Sequence, residues 1–384
     1  MILLFVASCQ FTQPKFEKAK IMLKSKKMET RHLIKLPGLV DVHVHLREPG
    51  GVQKEDFETG TKAAIAGGYT QILDMPNNIP PTISLATLNQ KITIASSRIY
   101  CDVGFNFGAT SQSTKFFPKV YDKVFGLKVY MNQTTGPLLI DKNLDSELVF
   151  KSWQSPWPIM VHAQGETVED AIKLARKFKK RIHICHTTGD QLPSIFKAQK
   201  EGLEISTEVC PHHLFLTEND VKKLGPLGIM KPPLTSKYDQ KNLWNSIDKI
   251  DMISTDHAPH TLREKFDQKE PKFGVPGLET TLTLMFTAIK KGLISLDRLI
   301  EMTSINPQKI FKLPHQPKTY IIIDTSKTYK IGEKHLFTKC GWTPFKELKG
   351  IGEIKKVVLR GQTIFENGKF LGKPQGKIIF PKVV

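Results

Sequence analysis

Arginine is scarce in this 384-residue chain: eight of its 56 basic residues are arginine, the rest lysine. A formal charge of +19 normally points to nucleic acid. Here the lysines are spread along the chain, with no aromatic interleaving and no RNA-binding signature, so the charge reads as diffuse surface lysine. Its expected use is steering an anionic substrate. Cysteine is equally thin. Cys9, Cys101, Cys185, Cys210 and Cys340 are odd in number and form no CxxC, which argues against a disulfide framework and for a reducing compartment, the cytoplasm. No apolar run approaches the ~20 residues of a membrane helix. The apolar opening Met1 to Ser8 lacks a basic flank. Residues 10–36 are lysine-rich and acid-poor, but Arg31 is their one arginine. Residues 1–35 are therefore read as a flexible leader or linker rather than a transit peptide.

From Leu36 onward short apolar runs alternate with amphipathic stretches. Strands are expected at 38–45, 69–75, 101–107, 124–130, 158–163, 181–185, 203–209 and 251–255. Helices are expected near 54–66, 84–96, 113–121, 143–154, 166–179, 189–201, 237–247 and 279–292. Eight β/α units with right-handed crossovers predict a (β/α)8 TIM barrel over 36–305. The open doubly wound alternative lacks a Gly-rich phosphate turn after its first strand. Segment 210–236 reads as a long Pro-rich loop. Asn306-Pro307 is expected to close a helical stretch, and residues 306–384 to form a small C-terminal β appendage with strands near 319–323 and 354–366.

The chemistry lies at the expected strand ends, where a parallel barrel keeps its active site. His43 and His45 stand two apart at the end of the first strand, so their imidazoles share a face. Lys128 lies near the end of the fourth, His162 ends the fifth, His186 the sixth and Asp256 the eighth. Any one alone is more often a hydrogen-bonded core or rim residue, and a lone lysine often snorkels. Four histidines, a lysine and an aspartate at one barrel mouth are better explained as a metal site.

The segments Asp41-Val42-His43-Val44-His45-Leu46-Arg47-Glu48-Pro49-Gly50, Met75-Pro76-Asn77, Glu208-Val209-Cys210-Pro211-His212-His213 and Asp256-His257-Ala258-Pro259-His260 closely resemble the dihydroorotases of the amidohydrolase superfamily. The likeness is greatest to the type found in the animal multifunctional pyrimidine-synthesis polypeptide. It runs from about Lys35 to about Lys369. The resemblance implies a metal-dependent barrel in which one zinc is held by His43, His45, Lys128 and Asp256. A second is held by Lys128, His162 and His186, with Lys128 carrying a carbamate from CO2. It further implies a hydroxide bridging the two metals and Asp256 as general acid and base. The implied reaction is the reversible cyclisation of N-carbamoyl-L-aspartate to L-dihydroorotate in pyrimidine biosynthesis. Cys185 and Glu208 resemble positions that, with His43, would hold a third metal; otherwise they are a buried strand cysteine and an outer partner of a ligating histidine.

Arg47 presents a planar fork suited to a carboxylate, and Asn77 follows the second strand. With Thr134, Lys231, His260 and Gly274 they complete the substrate contacts that the resemblance implies. Two positions depart from the animal type: Thr135 stands where an aromatic follows the loop threonine, and Lys231 replaces an arginine. Both bear on closure and rate more than on reaction type. The resemblance also implies a homodimer associating with aspartate transcarbamoylase and carbamoyl-phosphate synthetase. The competing readings are another cyclic-amide hydrolase, of the allantoinase or dihydropyrimidinase kind, and a catalytically silent scaffold for a transcarbamoylase partner. Arg47 weighs against the first and the complete donor set against the second.

Overall fold

Short runs of Val, Ile, Leu and Phe bounded by polar turns become strands covered on both faces, as parallel sheets require. The computed structural model describes residues 32–136, 138–140, 144–333 and 335–382. Most of the expected leader therefore lies outside the described residues. Strand β1 (Leu33–Pro37) precedes the barrel strands β2 (Leu39–Val44), β3 (Tyr69–Asp74), β4 (Asp102–Phe105), β5 (Phe107–Gly108), β6 (Leu127–Tyr130), β7 (Ile159–His162), β8 (Ile182–Ile184), β9 (Ile205–Val209) and β10 (Met252–Ile253). These pair in parallel as β2-β3-β4 and as β5-β6-β7-β8-β9-β10. The expected third strand is thus split at Asn106, where the chain leaves β3 and takes β6 as its partner. On the other side β2 reaches the end of β10 through a bridge between Val44 and His257 and a 2.8 Å hydrogen bond from His45 N–H to the His257 carbonyl. Eight strand positions thus follow in barrel order, though ladder pairing does not run unbroken around them.

Helix starts follow their caps. Asp56 and Thr59 form a reciprocal box at Phe57–Ala66, and Ser84 and Thr87 do the same at Leu85–Ala95. The helix expected at 113–121 is a 3-10 helix, Ser111–Lys119, with Pro118 inside it; proline lacks the N–H that an α-helical turn needs there. Segment 210–236 is not a plain loop. It holds the helices Pro211–Phe215 and Glu218–Leu224, the second started by Thr217 and Asp220. Asn306-Pro307 does not close the helical stretch: Leu296–Ile300, a π-helical turn Glu301–Ile305 and Asn306–Phe311 follow one another without a break, the wider turn falling just before the proline that lacks an N–H.

Inward side chains of the strands, Val40, Val42, Leu73, Phe125, Met160 and Met252 among them, pack with Phe311, Leu313 and Ile379, which close the barrel floor. Outside, a larger apolar layer seats the helices. The appendage is an antiparallel sheet in the order β1, β11 (Tyr320–Lys330), β12 (Lys349–Leu359), β13 (Gln362–Glu366), β14 (Lys369–Phe370). The expected leader boundary at residue 35 falls inside β1, whose Leu33 pairs with Asp324 and Pro37 with Tyr320. Appendage and barrel are tied by two acids, Glu55 buried and Glu279 half-buried. Glu279 accepts the N–H groups of Phe337 and Thr338 at 2.9–3.0 Å. Glu55 accepts the Thr338 hydroxyl and the Lys339 N–H, and lies 3.3 Å from His257 Nε2. Among the described residues no helix is long and apolar enough to cross a membrane.

Candidate metal centre and substrate pocket

A register shift between Asp41 and Val44 marks a β-bulge in β2, a device that re-aims side chains near active sites. Asp41 pins it by accepting the backbone N–H groups of His43 and Thr255, each at 3.0 Å. Val42 can then face the barrel interior while His43 and His45 both turn to the mouth, their rings 5.3 Å apart. Arg47, His186 and Asp256 all have positive φ, 62°, 37° and 44°. Left-handed backbone costs a non-glycine residue about 1–3 kcal/mol and clusters where side-chain direction matters.

The donors converge. Asp256 Oδ1 lies 3.3 Å from His43 Nε2 and 3.1 Å from His45 Nε2, and His162 Nδ1 is 2.8 Å from His186 Nε2. Burial, reinforced by Lys128, holds the His43 and His162 imidazoles below their ordinary range. Burial and Arg47 do so for His45, burial and His162 for His186. All four are therefore neutral, with a lone pair each. Which nitrogen offers it follows from the other contact. His43 Nδ1–H donates to Glu208 Oε1 at 2.5 Å and His45 Nδ1–H to Asn77 Oδ1 at 2.6 Å, so both Nε2 lone pairs face the cavity. Burial alone would raise the Glu208 carboxyl, but His43 and His183 hold it well below the usual range. Burial raises the Asp256 carboxyl, opposed by His43 and Lys128.

Lys128 is fully buried, and among the described residues its amine makes one hydrogen bond, 2.9 Å to Cys185 Sγ, with no carboxylate in ion-pair range. An amine so poorly matched as an ammonium suits conversion to an anion. Together with two imidazole nitrogens facing each other at 2.8 Å, it fits a divalent metal. Cys185, Glu208 and His43 also bring ligand atoms within 4.8 Å of one another.

His43, His45, Lys128, His162, His186 and Asp256 line one cavity with Arg47, Asn77, Thr134, Lys231 and Gly274. At about 20 Å³ it holds about one water. Thr134 and Thr135 separate it from an outer chamber of about 700 Å³. Asn77 Nδ2 donates to the Thr135 carbonyl at 3.1 Å and the Thr135 hydroxyl to the Phe273 carbonyl at 3.2 Å, fastening that partition. Lys231 Nζ stands 4.8 Å over the Phe273 ring.

Two expected substrate contacts differ. His260 does not line the cavity; it is buried behind Arg47, with Nε2 3.1 Å from Arg47 Nη2 and 2.9 Å from the Phe273 carbonyl. Lys54 Nζ, 3.3 Å away, can only donate to Nδ1, so the proton sits on Nε2. Gly274 was expected to offer backbone groups, but its N–H bonds the Ile229 carbonyl and its own carbonyl accepts from Lys265. Glycine is needed there because φ is 132° and a Cβ would meet the Ala258 carbonyl oxygen at 2.6 Å.

Sequence reasoning missed Tyr130, which lines the cavity with a buried hydroxyl that has no partner among the described residues. Its spacing of two from Lys128 was the available signal. Gln164, two beyond His162, touches that ring at 2.9 Å and follows the same rule. Phe273 carries no comparable signal.

Fold and donor set together define the metal-dependent amidohydrolase class. The chain belongs to the amidohydrolase family, whose model matches residues 34–317, and its relatives set it among the dihydroorotases. It is 35% identical over 370 residues to the dihydroorotase of Pyrococcus abyssi, covering 90% of this chain and 86% of that one. It is 42% identical over 345 residues to the multifunctional protein pyr1-3 of Dictyostelium discoideum and 41% identical over 351 residues to the multifunctional protein CAD of Squalus acanthias. Those alignments cover 89% and 90% of this chain but 15% and 16% of the relatives. Among solved structures, an L-hydantoinase (dihydropyrimidinase) from Arthrobacter aurescens superposes with a TM-score of 0.85 at 24% identity, covering 90% of this chain and 89% of that one. At that identity the likeness concerns the fold.

Proposed function

We propose that this chain is a dihydroorotase, interconverting N-carbamoyl-L-aspartate and L-dihydroorotate. The observation that carries the reading is Arg47: a carboxylate-binding fork opens onto the same cavity as the metal donors. A hydantoin or dihydrouracil ring has no carboxylate for it.

In this reading His43, His45, Lys128 and Asp256 hold one zinc and Lys128, His162 and His186 the other. When bound, the metals supply Lewis-acid polarisation of the carbonyl and ready ionisation of water. Lys128 would contribute as a carbamate, formed when its amine adds to CO2 with a new N–C bond and loss of a proton to solvent. Asp256, its carboxyl raised by burial, takes the proton of the attacking water in the hydrolytic direction and delivers it to the departing ring nitrogen. Arg47 holds the substrate carboxylate and Lys231 adds positive charge. Thr134 closes over the ring, and the partition it shares with Thr135 limits entry of bulk water. His260 packs behind Arg47, whose guanidinium is anchored by its Nε–H on the Pro259 carbonyl. Cys185 and Glu208 offer, with His43, a third metal position.

By the same reading the chain is a cytoplasmic homodimer associating with aspartate transcarbamoylase and carbamoyl-phosphate synthetase, since two relatives matched here are multifunctional proteins. Sedimentation of the purified chain as a monomer would remove the dimer.

The test is turnover of zinc-loaded protein, with bicarbonate, on N-carbamoyl-L-aspartate, dihydroorotate, dihydrouracil and allantoin. Activity on the first pair is expected. Turnover of the uncarboxylated rings instead, or none at full metal content, overturns the reading. Asp256→Ala should lose at least about a hundredfold in both directions with unchanged circular dichroism; normal activity in it would refute the acid–base role.

A further inference from the structure

At the C-terminal end of β9 the chain turns into Pro211–Phe215, and Cys210, His212 and His213 fold against one another. All three are buried, and one ligand-capable atom from each lies within 4.8 Å of the others. The two rings stand 4.4 Å apart, close to edge-to-face. None of the three lines the cavity at the barrel mouth.

Two nitrogens of the histidine pair are left over. His212 Nε2 and His213 Nδ1 are buried without a hydrogen-bond partner among the described residues. For His213 the protonation site follows from geometry. Its Nε2 is 3.2 Å from the Pro232 carbonyl oxygen, which can only accept, so Nε2 carries the proton and Nδ1 is a bare lone pair. A far N–H anchored on a backbone carbonyl and a free near nitrogen is how proteins orient a metal-binding imidazole. Unsatisfied buried polar groups are costly, and two beside one thiol call for an occupant.

We propose that Cys210, His212 and His213 form a metal site distinct from the one at the mouth, taking a borderline-soft divalent ion such as zinc. One thiolate and two imidazoles are the donor mixture such an ion prefers, with a fourth tetrahedral position left for water. On binding, the Cys210 thiol releases its proton to solvent and a sulfur–metal bond forms; nothing is oxidised or reduced. The role is structural. The ion would fix the turn after β9 beneath Lys231-Pro232, to which His213 is already bonded.

Cobalt(II) substitution of the full chain tests this, since thiolate–cobalt bonds give a near-ultraviolet charge-transfer band. Cys185→Ala removes the other cysteine near a donor set and should keep the band. In that Cys185→Ala background, Cys210→Ala should lose the band and one metal ion per chain by mass spectrometry, and His213→Gln should lose the same ion. Absence of the band in Cys185→Ala overturns the proposal without touching the site, even if Cys210→Ala does not fold. Unchanged metal content in a folded Cys210→Ala also overturns it, leaving a buried water as the occupant.

Discussion

Arg47 is held through Nε on the Pro259 carbonyl and Nη2 beside His260, while among the described residues Nη1 has no protein acceptor. A side chain fixed on one edge and free on the other is already arranged to bind. Arg47→Gln should raise KM for carboxylated substrate roughly 10- to 100-fold, from the loss of charge-assisted bonds worth about 1.5–3 kcal/mol, with a smaller change in kcat. Unchanged saturation in steady-state assays would contradict the clamp. His260, behind it, makes a pH prediction. Burial, then Arg47, lowers its pKa from 6.5 to about 3. Above pH 6.5 both folded and unfolded states are neutral and the group contributes nothing. Below it the unfolded chain takes a proton that the folded one refuses until about pH 3, so stability falls as pH falls, by up to about 1.4 kcal/mol per pH unit. Urea unfolding between pH 4 and 7 should show a steeper loss for wild type than for His260→Gln; parallel curves would show that His260 titrates normally. The cluster of His43, His45, Lys128, His162, His186 and Asp256 was legible in sequence because so many such groups at the ends of successive apolar strands have no common structural explanation, though each alone does. His260 and Gly274 show the limit of that reading. Sequence brings both to the site, but His260 lies behind the cavity and Gly274 lines it with its backbone groups already bonded, because which atoms are free depends on Lys54, Phe273, Ile229 and Lys265.

Among elements, the strands were legible from their apolar runs, and most boundaries agree within a few residues. The bulge in β2 was not, since it depends on Asp41 reaching the N–H of Thr255, 214 positions away. Nor was the support beneath it. Lys91, on the helix Leu85–Ala95, is fully buried with its Nζ 2.7 Å from Asp74 Oδ2, and Asp74 Oδ1 accepts the Leu46 N–H between His45 and Arg47. A lysine in a helical pattern reads as solvent-facing, and only tertiary packing reveals otherwise. Burial lowers the pKa of Lys91 and raises that of Asp74, each opposed by the other. Lys91→Met should therefore destabilise the fold by about 3–5 kcal/mol, the usual consequence of leaving one buried charge unpaired. A urea midpoint within error of wild type would show that Asp74 is neutral and needs no partner.

At the scale of the whole molecule, the residue pattern predicted barrel and appendage as successive pieces, but the chain interleaves them. β1 comes before the barrel and pairs with β11 after it, a long-range contact that a local pattern cannot announce. The shared family region ends at residue 317, ahead of Phe337, Thr338 and Lys339. A fragment of residues 32–317 would leave buried Glu55 and half-buried Glu279 without the donors that satisfy them. It should aggregate or melt without a cooperative transition, and a monodisperse, cooperatively unfolding fragment would contradict this. The reach of the family model and mechanical independence thus have different borders here. Anyone transplanting this catalyst into another polypeptide must carry the residue 337–339 loop along with the barrel, because removing it would take away the hydroxyl that braces Glu55 under His257, the immediate neighbour of Asp256.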